Sequence, residues 1–278
     1  MPELPEAETM ARDLDRRVSG RTISSVLVSF PPIVASDREG FAGLLSGQTI
    51  ERVRRLGKWI RIDLASGGAL LVHLKMTGQF LMGDWPGSLE APWPPQARAA
   101  FLLAGGGLPD ETLFYLDTRK FGRLRAFPGP ELAVFLDGLG LGPDPLALSP
   151  EEFHRLLASR RGRLKAVLLD QSVVSGVGNI YADESLFAAG LSPLRPASSL
   201  GQDESASLLS HLRRILQESI DLGGSTVGNY RSLGADGAFQ DRHLVYGKHG
   251  QRCPRCGQTL SRASIGGRST VLCPSCQR

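Results

Sequence analysis

The chain has 278 residues, of which 41% are hydrophobic and 22% charged, and its formal net charge is +4. This length is enough to bury a large apolar core and suits two domains of ordinary size. No apolar run is long enough to span a bilayer, and the acidic opening MPELPEAETM is unlike the basic and then apolar start of a secretory signal. Composition therefore argues against a membrane or secreted protein. We expect a cytosolic one, in which cysteines are poor candidates for structural disulfides.

The N-terminal half predicts a helix followed by a β-rich domain. Residues 5–18 form the candidate helix. Six short stretches rich in β-branched and aromatic residues follow, and these predicted strands cover residues 21–30, 48–57, 58–65, 68–76, 98–104 and 112–117. Together they predict a β-sandwich or barrel, with the Pro-rich stretch 84–96 as a surface loop between two strands.

The pattern becomes helical near residue 149. Ser149 lies three residues before Glu152, which is the spacing of a capping box. Between Asp203 and Leu222 apolar residues recur at helical spacing, which predicts a long helix with one face in the core. We therefore predict an α+β fold in four parts: 1–130 as a helix plus β-sandwich domain, 131–149 as a linker, 150–240 as a helical domain and 241–278 as a cysteine module.

The C-terminal module carries two CxxC pairs separated by sixteen residues, a spacing typical of a structural zinc site with four thiolate ligands. The ligands would be Cys253, Cys256, Cys273 and Cys276. The intervening sequence predicts a β-hairpin with Gly266, Gly267 and Arg268 at its tip. Residues 242–278 include seven Lys and Arg and no Asp or Glu, which favours a polyanionic partner such as nucleic acid, with a solvated basic tail as the alternative.

The N-terminus offers a possible nucleophile. Pro2 follows the initiator methionine, whose removal would expose a secondary amine that titrates below a lysine and can form Schiff bases with sugar aldehydes. Glu3 and Glu6 place carboxylates nearby for proton transfer. In isolation these residues also fit an ordinary helix start, with Glu6 favouring the helix N-terminus, and Lys58 fits an exposed lysine at the start of a strand.

Three stretches resemble the formamidopyrimidine-DNA glycosylase family: the opening MPELPEAET, the central SGVGNIYADESLFAAGLSP and the closing cysteine module. The resemblance runs nearly end to end. It implies a β-sandwich followed by a helical domain with a helix-two-turns-helix motif and a zinc-finger β-hairpin. It also implies one structural Zn²⁺, damaged double-stranded DNA as the partner, a monomer, and a place among the nucleoid-associated proteins of the bacterial cytoplasm.

The same resemblance implies a bifunctional enzyme of base excision repair, a glycosylase and abasic-site lyase for oxidised purines. Pro2 would attack the sugar C1′, displace the damaged base and form a covalent Schiff base. Glu3 would donate and accept protons around sugar opening. Lys58 would assist β-elimination and Arg268 δ-elimination, which leaves a one-nucleoside gap flanked by phosphates.

Further residues match DNA-contacting positions of the family. Phosphate contacts or contacts near the lesion are expected at His73, Arg161, Lys165, Asn179, Tyr246 and Arg262. Three residues are expected to fill the void left by a flipped base: Met76, Arg119 and Phe121. On the residues alone, Met76 and Phe121 also fit core positions, and the stretch RRGRLK fits a solvated helix face.

Two departures leave the substrate open. The stretch 234–246 is shorter than the family loop that helps to cap the flipped base, and PPQARAAF lacks the histidines often found there, so Arg98 is a substitute phosphate contact. An endonuclease VIII-like enzyme for oxidised pyrimidines is one alternative, and a non-catalytic lesion-binding protein is another. A zinc-ribbon transcription or RNA-binding module would explain only the final residues.

Overall fold

The computed structural model describes residues 2–35, 40–84, 93–228 and 230–278. The polypeptide divides into two compact units. The first contains residues 1–139 and 223–238, and the second contains residues 140–222 and 239–278. Most of the predicted surface loop at 84–96 lies outside the described residues.

The described part of the first unit begins with helix α1 (Leu4–Val18) and includes the α-helices α2 (Phe41–Leu45) and α3 (Gly129–Gly138). Its strands are β1 (Thr22–Val28), β2 (Ile50–Leu56), β3 (Trp59–Leu64), β4 (Ala69–His73), β5 (Gly78–Gly83), β6 (Ala97–Ala104), β7 (Glu111–Asp117) and β8 (Arg123–Phe127). They form two antiparallel sheets, ordered β1-β6-β7-β5 and β2-β3-β4-β8. The predicted helix and all six predicted strands are confirmed.

The two sheets share one apolar core, which confirms the predicted sandwich. Along β3, buried Ile60 and Ile62 alternate with less buried residues, as expected for a strand with one face in the core. Phe101 from the other sheet and Met10 from α1 belong to the same apolar cluster. Burial of this surface is what holds the N-terminal helix against the sandwich.

Two strands, β5 and β8, were not among the predicted ones. β8 has the sequence RLRAF, in which buried Leu124 and Ala126 alternate with half-buried Arg123 and Arg125. Arginine is common in loops as well as on strand faces, so five residues of this kind give a weak strand signal. β5 begins and ends at glycine, a residue depleted in strands.

The second unit is helical apart from one hairpin. Its helices are α4 (Pro150–Ala158), α5 (Leu164–Leu169), α6 (Asn179–Ala189) and α7 (Gln202–Asp221), followed by hairpin strands β9 (Ser261–Ile265) and β10 (Arg268–Leu272). Ser149 caps α4 through the predicted capping box with Glu152. The predicted long helix and the predicted hairpin are confirmed.

The division into units differs from the predicted domains at two segments. Helix α3 begins at Gly129 and covers the first part of the predicted linker 131–149, and its Leu132 packs against Leu71 of β4. Residues 223–238, predicted within the helical domain, pack instead with the first unit. Two hydrogen bonds explain this placement: the Ser225 N–H donates to Glu6 Oε1 at 2.8 Å, and the Tyr230 hydroxyl donates to the Glu6 carbonyl at 2.9 Å.

Candidate active site

The predicted nucleophile lies at the buried start of α1. Pro2 is buried, and Glu3, the residue at the N-cap, is 2% exposed. The backbone N–H of Glu3 donates to Glu6 Oε2 at 2.8 Å. Because Glu6 also accepts from Ser225, its carboxylate joins the first turn of α1 to the segment 223–238. A Cβ at Gly224, where φ is +86°, would lie 3.1 Å from the Glu6 side chain, so glycine lets this segment approach.

Lys58 does not lie on an exposed strand face. It follows Gly57, whose φ is +57°, in the tight turn between β2 and β3, and it is only 9% exposed. A lysine held in this way retains little of the rotamer freedom of a surface lysine. The exposed-strand interpretation of Lys58 is therefore wrong.

His73 lies at the end of β4 as a neutral imidazole. Its Nδ1 accepts a hydrogen bond from the Lys75 N–H at 3.0 Å, so the ring proton is on Nε2. The ring meets Trp59 edge to face, with centroids 4.9 Å apart. The pKa of His73 is lowered from 6.5 to about 3, first by burial and then by the positive charges of Lys75 and Lys58. At neutral pH the residue can offer a phosphate a donor without a charge.

The three predicted void-filling residues are exposed and lie on two adjacent loops. Met76 is 39% exposed in the β4–β5 loop, and Phe121 is 48% exposed in the β7–β8 loop. The guanidinium of Arg119 stacks 4.9 Å from the centre of the Phe121 ring. The core interpretation of Met76 and Phe121 is therefore wrong, and both apolar side chains are available to a ligand.

A buried aspartate that sequence reasoning missed joins these two loops. Asp117 is fully buried; its Oδ1 accepts from the Thr77 hydroxyl at 2.5 Å and from the Arg119 N–H at 3.2 Å, and its Oδ2 accepts from the Gly122 N–H at 2.7 Å. The only sequence signal is its position, as the last residue of a buried strand directly before TRKFG. Below the loops the Tyr115 hydroxyl occupies the space that a Cβ at Gly122 would need, at 1.9 Å.

In the second unit, three predicted phosphate contacts surround one cavity. Asn179 is the first residue of α6, and its Nδ2 donates to the Ser269 carbonyl at 3.0 Å. Arg262 Nε donates to the Ser269 hydroxyl at 3.0 Å. Both residues, together with Tyr246 and His249, line a cavity of about 250 Å³. A helix N-terminus beside an arginine favours an anion because the first N–H groups of the helix lack partners within the helix.

A second buried carboxylate fixes Tyr246. Glu184 on α6 is 3% exposed and accepts from three consecutive backbone N–H groups, those of Leu244, Val245 and Tyr246, at 2.9, 3.0 and 2.7 Å. Burial raises the pKa of Glu184, whereas these hydrogen bonds oppose the rise. The signal missed in the sequence is the pair of adjacent acidic residues, Asp183 and Glu184, within the largely apolar stretch YADESLFAA.

The four cysteines form a metal site of the predicted kind. Their sulfurs all lie within 4.8 Å of one another, and none is in a disulfide. Cys253 and Cys276 have sulfurs 3.9 Å apart, and Cys256 and Cys273 have sulfurs 3.5 Å apart. Four thiolates around zinc at about 2.3 Å have sulfurs about 3.8 Å apart, so the arrangement fits Zn²⁺. These cysteines hold one structural zinc, with no open position for a substrate.

Comparison with known proteins agrees with this geometry. Family models match three consecutive parts of the chain: the formamidopyrimidine-DNA glycosylase N-terminal domain at residues 1–124, its H2TH domain at 140–231, and the zinc finger found in FPG and IleRS at 250–278. Formamidopyrimidine-DNA glycosylases of Streptococcus pyogenes and Thermus thermophilus are each 42% identical over 282 aligned positions, which cover 100% of this chain and 99% and 98% of the relatives.

The chain belongs to the formamidopyrimidine-DNA glycosylase family. Two solved structures of Lactococcus lactis Fpg share its fold, both at 32% identity and a TM-score of 0.89. One is a complex with DNA containing N7-benzyl-Fapy-dG and covers 100% of both chains; the other is a complex with DNA containing an abasic site and covers 99% of both. The alternative of an isolated zinc-ribbon module is wrong, because the match includes the whole N-terminal domain.

The remaining family positions differ in their surroundings. Arg161 is exposed before α5, and Arg268 is exposed at the first residue of β10. Lys165, in contrast, is 0% exposed on α5 and forms an ion pair of 2.7 Å with Asp183. The solvated-face interpretation of this basic stretch therefore fails at Lys165. Arg98, predicted as a substitute phosphate contact, donates from its Nε to the Asp117 carbonyl at 3.0 Å.

No helix in the described part of the chain is long and apolar enough to cross a membrane.

Proposed function

We propose that this protein is a bifunctional DNA glycosylase and abasic-site lyase that removes oxidised purines in base excision repair. The observation that carries the proposal is a buried Pro2–Glu3 start of α1, held by Glu6, in a chain that matches the family over its full length. The Lactococcus lactis relative has been solved in complexes with DNA containing N7-benzyl-Fapy-dG and with DNA containing an abasic site.

The chemistry begins once Met1 is removed. The secondary amine of Pro2 attacks C1′, the bond from C1′ to the base breaks, and the base leaves with a proton while the sugar ring opens to a Schiff base. Glu3 supplies and accepts protons in these steps. Loss of a C2′ proton then breaks the C3′–O bond in β-elimination, assisted by Lys58. Loss of a C4′ proton breaks the C5′–O bond in δ-elimination, assisted by Arg268.

The exposed loops of the first unit support base flipping. An enzyme that acts on a stacked base must rotate it out and fill the space that remains. The exposed side chains of Met76 and Phe121 are suited to enter the stack, and Arg119 carries donors for the orphaned base.

Phosphate binding is divided between the units. His73 supplies a neutral donor in the first, and Arg161, Asn179, Tyr246 and Arg262 supply contacts in the second. We further infer that the protein acts as a monomer on nucleoid DNA in the bacterial cytoplasm; sedimentation of the free protein and of its DNA complex would measure the first of these.

Strand incision tests the proposal and its alternatives together. Duplexes with 8-oxoguanine opposite cytosine, dihydrouracil or an abasic site are incubated with enzyme whose N-terminus has been confirmed by mass spectrometry. The proposal predicts faster cutting of the 8-oxoguanine strand than of the dihydrouracil strand, with phosphate at both ends of the gap. Faster cutting of dihydrouracil would assign an endonuclease VIII-like specificity. Binding without cutting of any duplex would leave a lesion-binding protein.

A further inference from the structure

Lys165 has surroundings that a DNA-contacting lysine does not have. Its side chain is 0% exposed, and its ammonium group meets three acceptors: Asp183 Oδ1 at 2.7 Å, the Thr270 hydroxyl at 2.9 Å and the Ser269 carbonyl at 3.1 Å. The contacts with Thr270 and Ser269 are hydrogen bonds and the contact with Asp183 is an ion pair, so the ammonium group has its partners within the protein. A phosphate would have to displace one of these bonds inside the protein.

The partners of Lys165 belong to one short segment of β10. Ser269 and Thr270 directly follow Arg268 in sequence. The next residue, Val271, donates its N–H to the second carboxylate oxygen of Asp183 at 3.2 Å. The ion pair of α5 and α6 therefore binds three consecutive residues of the hairpin strand that begins at Arg268.

The same segment also meets two of the candidate phosphate contacts. The Ser269 carbonyl accepts from Asn179 as well as from Lys165, and the Ser269 hydroxyl accepts from Arg262. At the hairpin tip, a Cβ on Gly266 would lie 3.8 Å from the Ala166 methyl group, so the tip lies against α5 beside Lys165. A shift of β10 would move all of these groups together.

We propose that Lys165 is a positioning residue: paired with Asp183, it fixes β10 of the zinc hairpin and thereby places Arg268 for δ-elimination, without contacting DNA itself. The proposal rests on the function proposed above for Arg268. It replaces the DNA contact that the family resemblance implies at this position. Its basis is that the ammonium group lies inside the protein and is bound to the strand that carries the reacting arginine.

The first test is the ratio of β,δ-elimination to β-elimination product on an abasic-site duplex, measured in single turnover below each variant's unfolding midpoint. Lys165→Met removes the charge and keeps the stem, and we expect the ratio to fall about tenfold or more, because a displacement of about 1 Å can cost a hundredfold in rate. Thr270→Val removes one acceptor with little change of shape and should lower the ratio less. Thr270→Ser keeps the hydroxyl and should keep the ratio. An unchanged ratio in Lys165→Met overturns the proposal.

An unpaired buried charge can prevent folding, so a second variant carries the same prediction. Lys165→Met combined with Asp183→Leu leaves no unpaired charge, and replacing both members of a buried pair is often tolerated. Its product ratio should also be low, because the bonds to Ser269 and Thr270 are absent. A wild-type ratio in this variant overturns the proposal.

The second test is independent of catalysis. Binding to a duplex with a tetrahydrofuran abasic analogue is measured over a range of salt concentrations. The slope of log K against log salt is negative, and loss of one phosphate contact makes it shallower by about 1. Lys165→Met should bind more weakly with the wild-type slope. The matched control is Arg161→Met, which removes an exposed cation of the same stretch and should make the slope shallower. A shallower slope or an unchanged affinity in Lys165→Met overturns the proposal. If the wild type fails to cut the abasic duplex, the proposed function fails and this binding test still decides the role of Lys165.

Discussion

The neutral state of His73 leads to a measurable pH dependence of stability. The unfolded chain binds a proton at this histidine below pH 6.5, whereas the native state does so only near pH 3. The native state therefore binds fewer protons between these limits, and stability must fall as the pH falls from about 6.5 towards 3. For one histidine with these two pKa values, lowering the pH from 7 to 5 should reduce the free energy of unfolding by about 2 kcal/mol.

His73→Gln isolates this contribution. Glutamine keeps an acceptor for the Lys75 N–H and cannot titrate, so the variant should lose about 2 kcal/mol less than the wild type between pH 7 and pH 5. All three tryptophans of the chain lie between residues 59 and 93, so their fluorescence in a urea titration reports unfolding of the first unit. Any constant packing effect of the substitution cancels in the comparison. Equal losses in the two proteins would refute the neutral state assigned to His73.

Three other perturbations give separate predictions. Gly122→Ala places a Cβ 1.9 Å from the Tyr115 hydroxyl and should lower the free energy of unfolding by about 1–3 kcal/mol. A Cβ at Gly138 would meet nothing within 4 Å, so the control Gly138→Ala should be neutral or slightly stabilising. Similar urea midpoints for the two variants would contradict a steric clash at Gly122. Removing zinc with a chelator should release one ion per chain and abolish tight duplex binding, because a structural zinc site supplies folding free energy to its own module. The urea unfolding transition of the first unit, followed by tryptophan fluorescence, should persist. Duplex binding that survives full zinc release would count against this prediction. Phe121→Ala should slow excision of 8-oxoguanine from duplex DNA about tenfold and should have little effect on cutting at an abasic site in single-stranded DNA. The reason is that only a duplex leaves a void to fill when the base is flipped out. Equal slowing on both substrates would contradict the void-filling role.

Local patterns were sufficient for much of the fold. The apolar spacing of α7, the capping box at Ser149 and the CxxC pairs each depend on residues close in sequence, and each was confirmed. The contacts of the segment 223–238 with the first unit were not foreseen because its partners are distant in sequence: Ser225 is 219 residues from Glu6. Its backbone N–H groups and hydroxyls carry no periodic signal that would reveal such a contact.

In the candidate site, too, some residues could be predicted from the sequence and others could not. The family motifs singled out Pro2, Lys58 and the exposed residues of the two loops. They did not reveal which charged residues are buried, because burial depends on partners supplied by the fold. Asp117 and Glu184 look like surface carboxylates in the sequence, yet each accepts backbone N–H groups inside the protein. Lys165 lies in a basic stretch, and its partners Asp183 and Thr270 lie 18 and 105 positions later in the sequence.

The proposed catalysis depends most directly on the amine of Pro2. Borohydride reduces a Schiff base to a stable link, so the enzyme mixed with 8-oxoguanine duplex or abasic duplex and borohydride should form a covalent adduct. Peptide mapping of that adduct should place the DNA on Pro2, and Pro2→Gly or a form that retains Met1 should lose or greatly reduce it. An adduct on a lysine in place of Pro2, or no adduct even with the abasic site, would contradict the proposed catalysis.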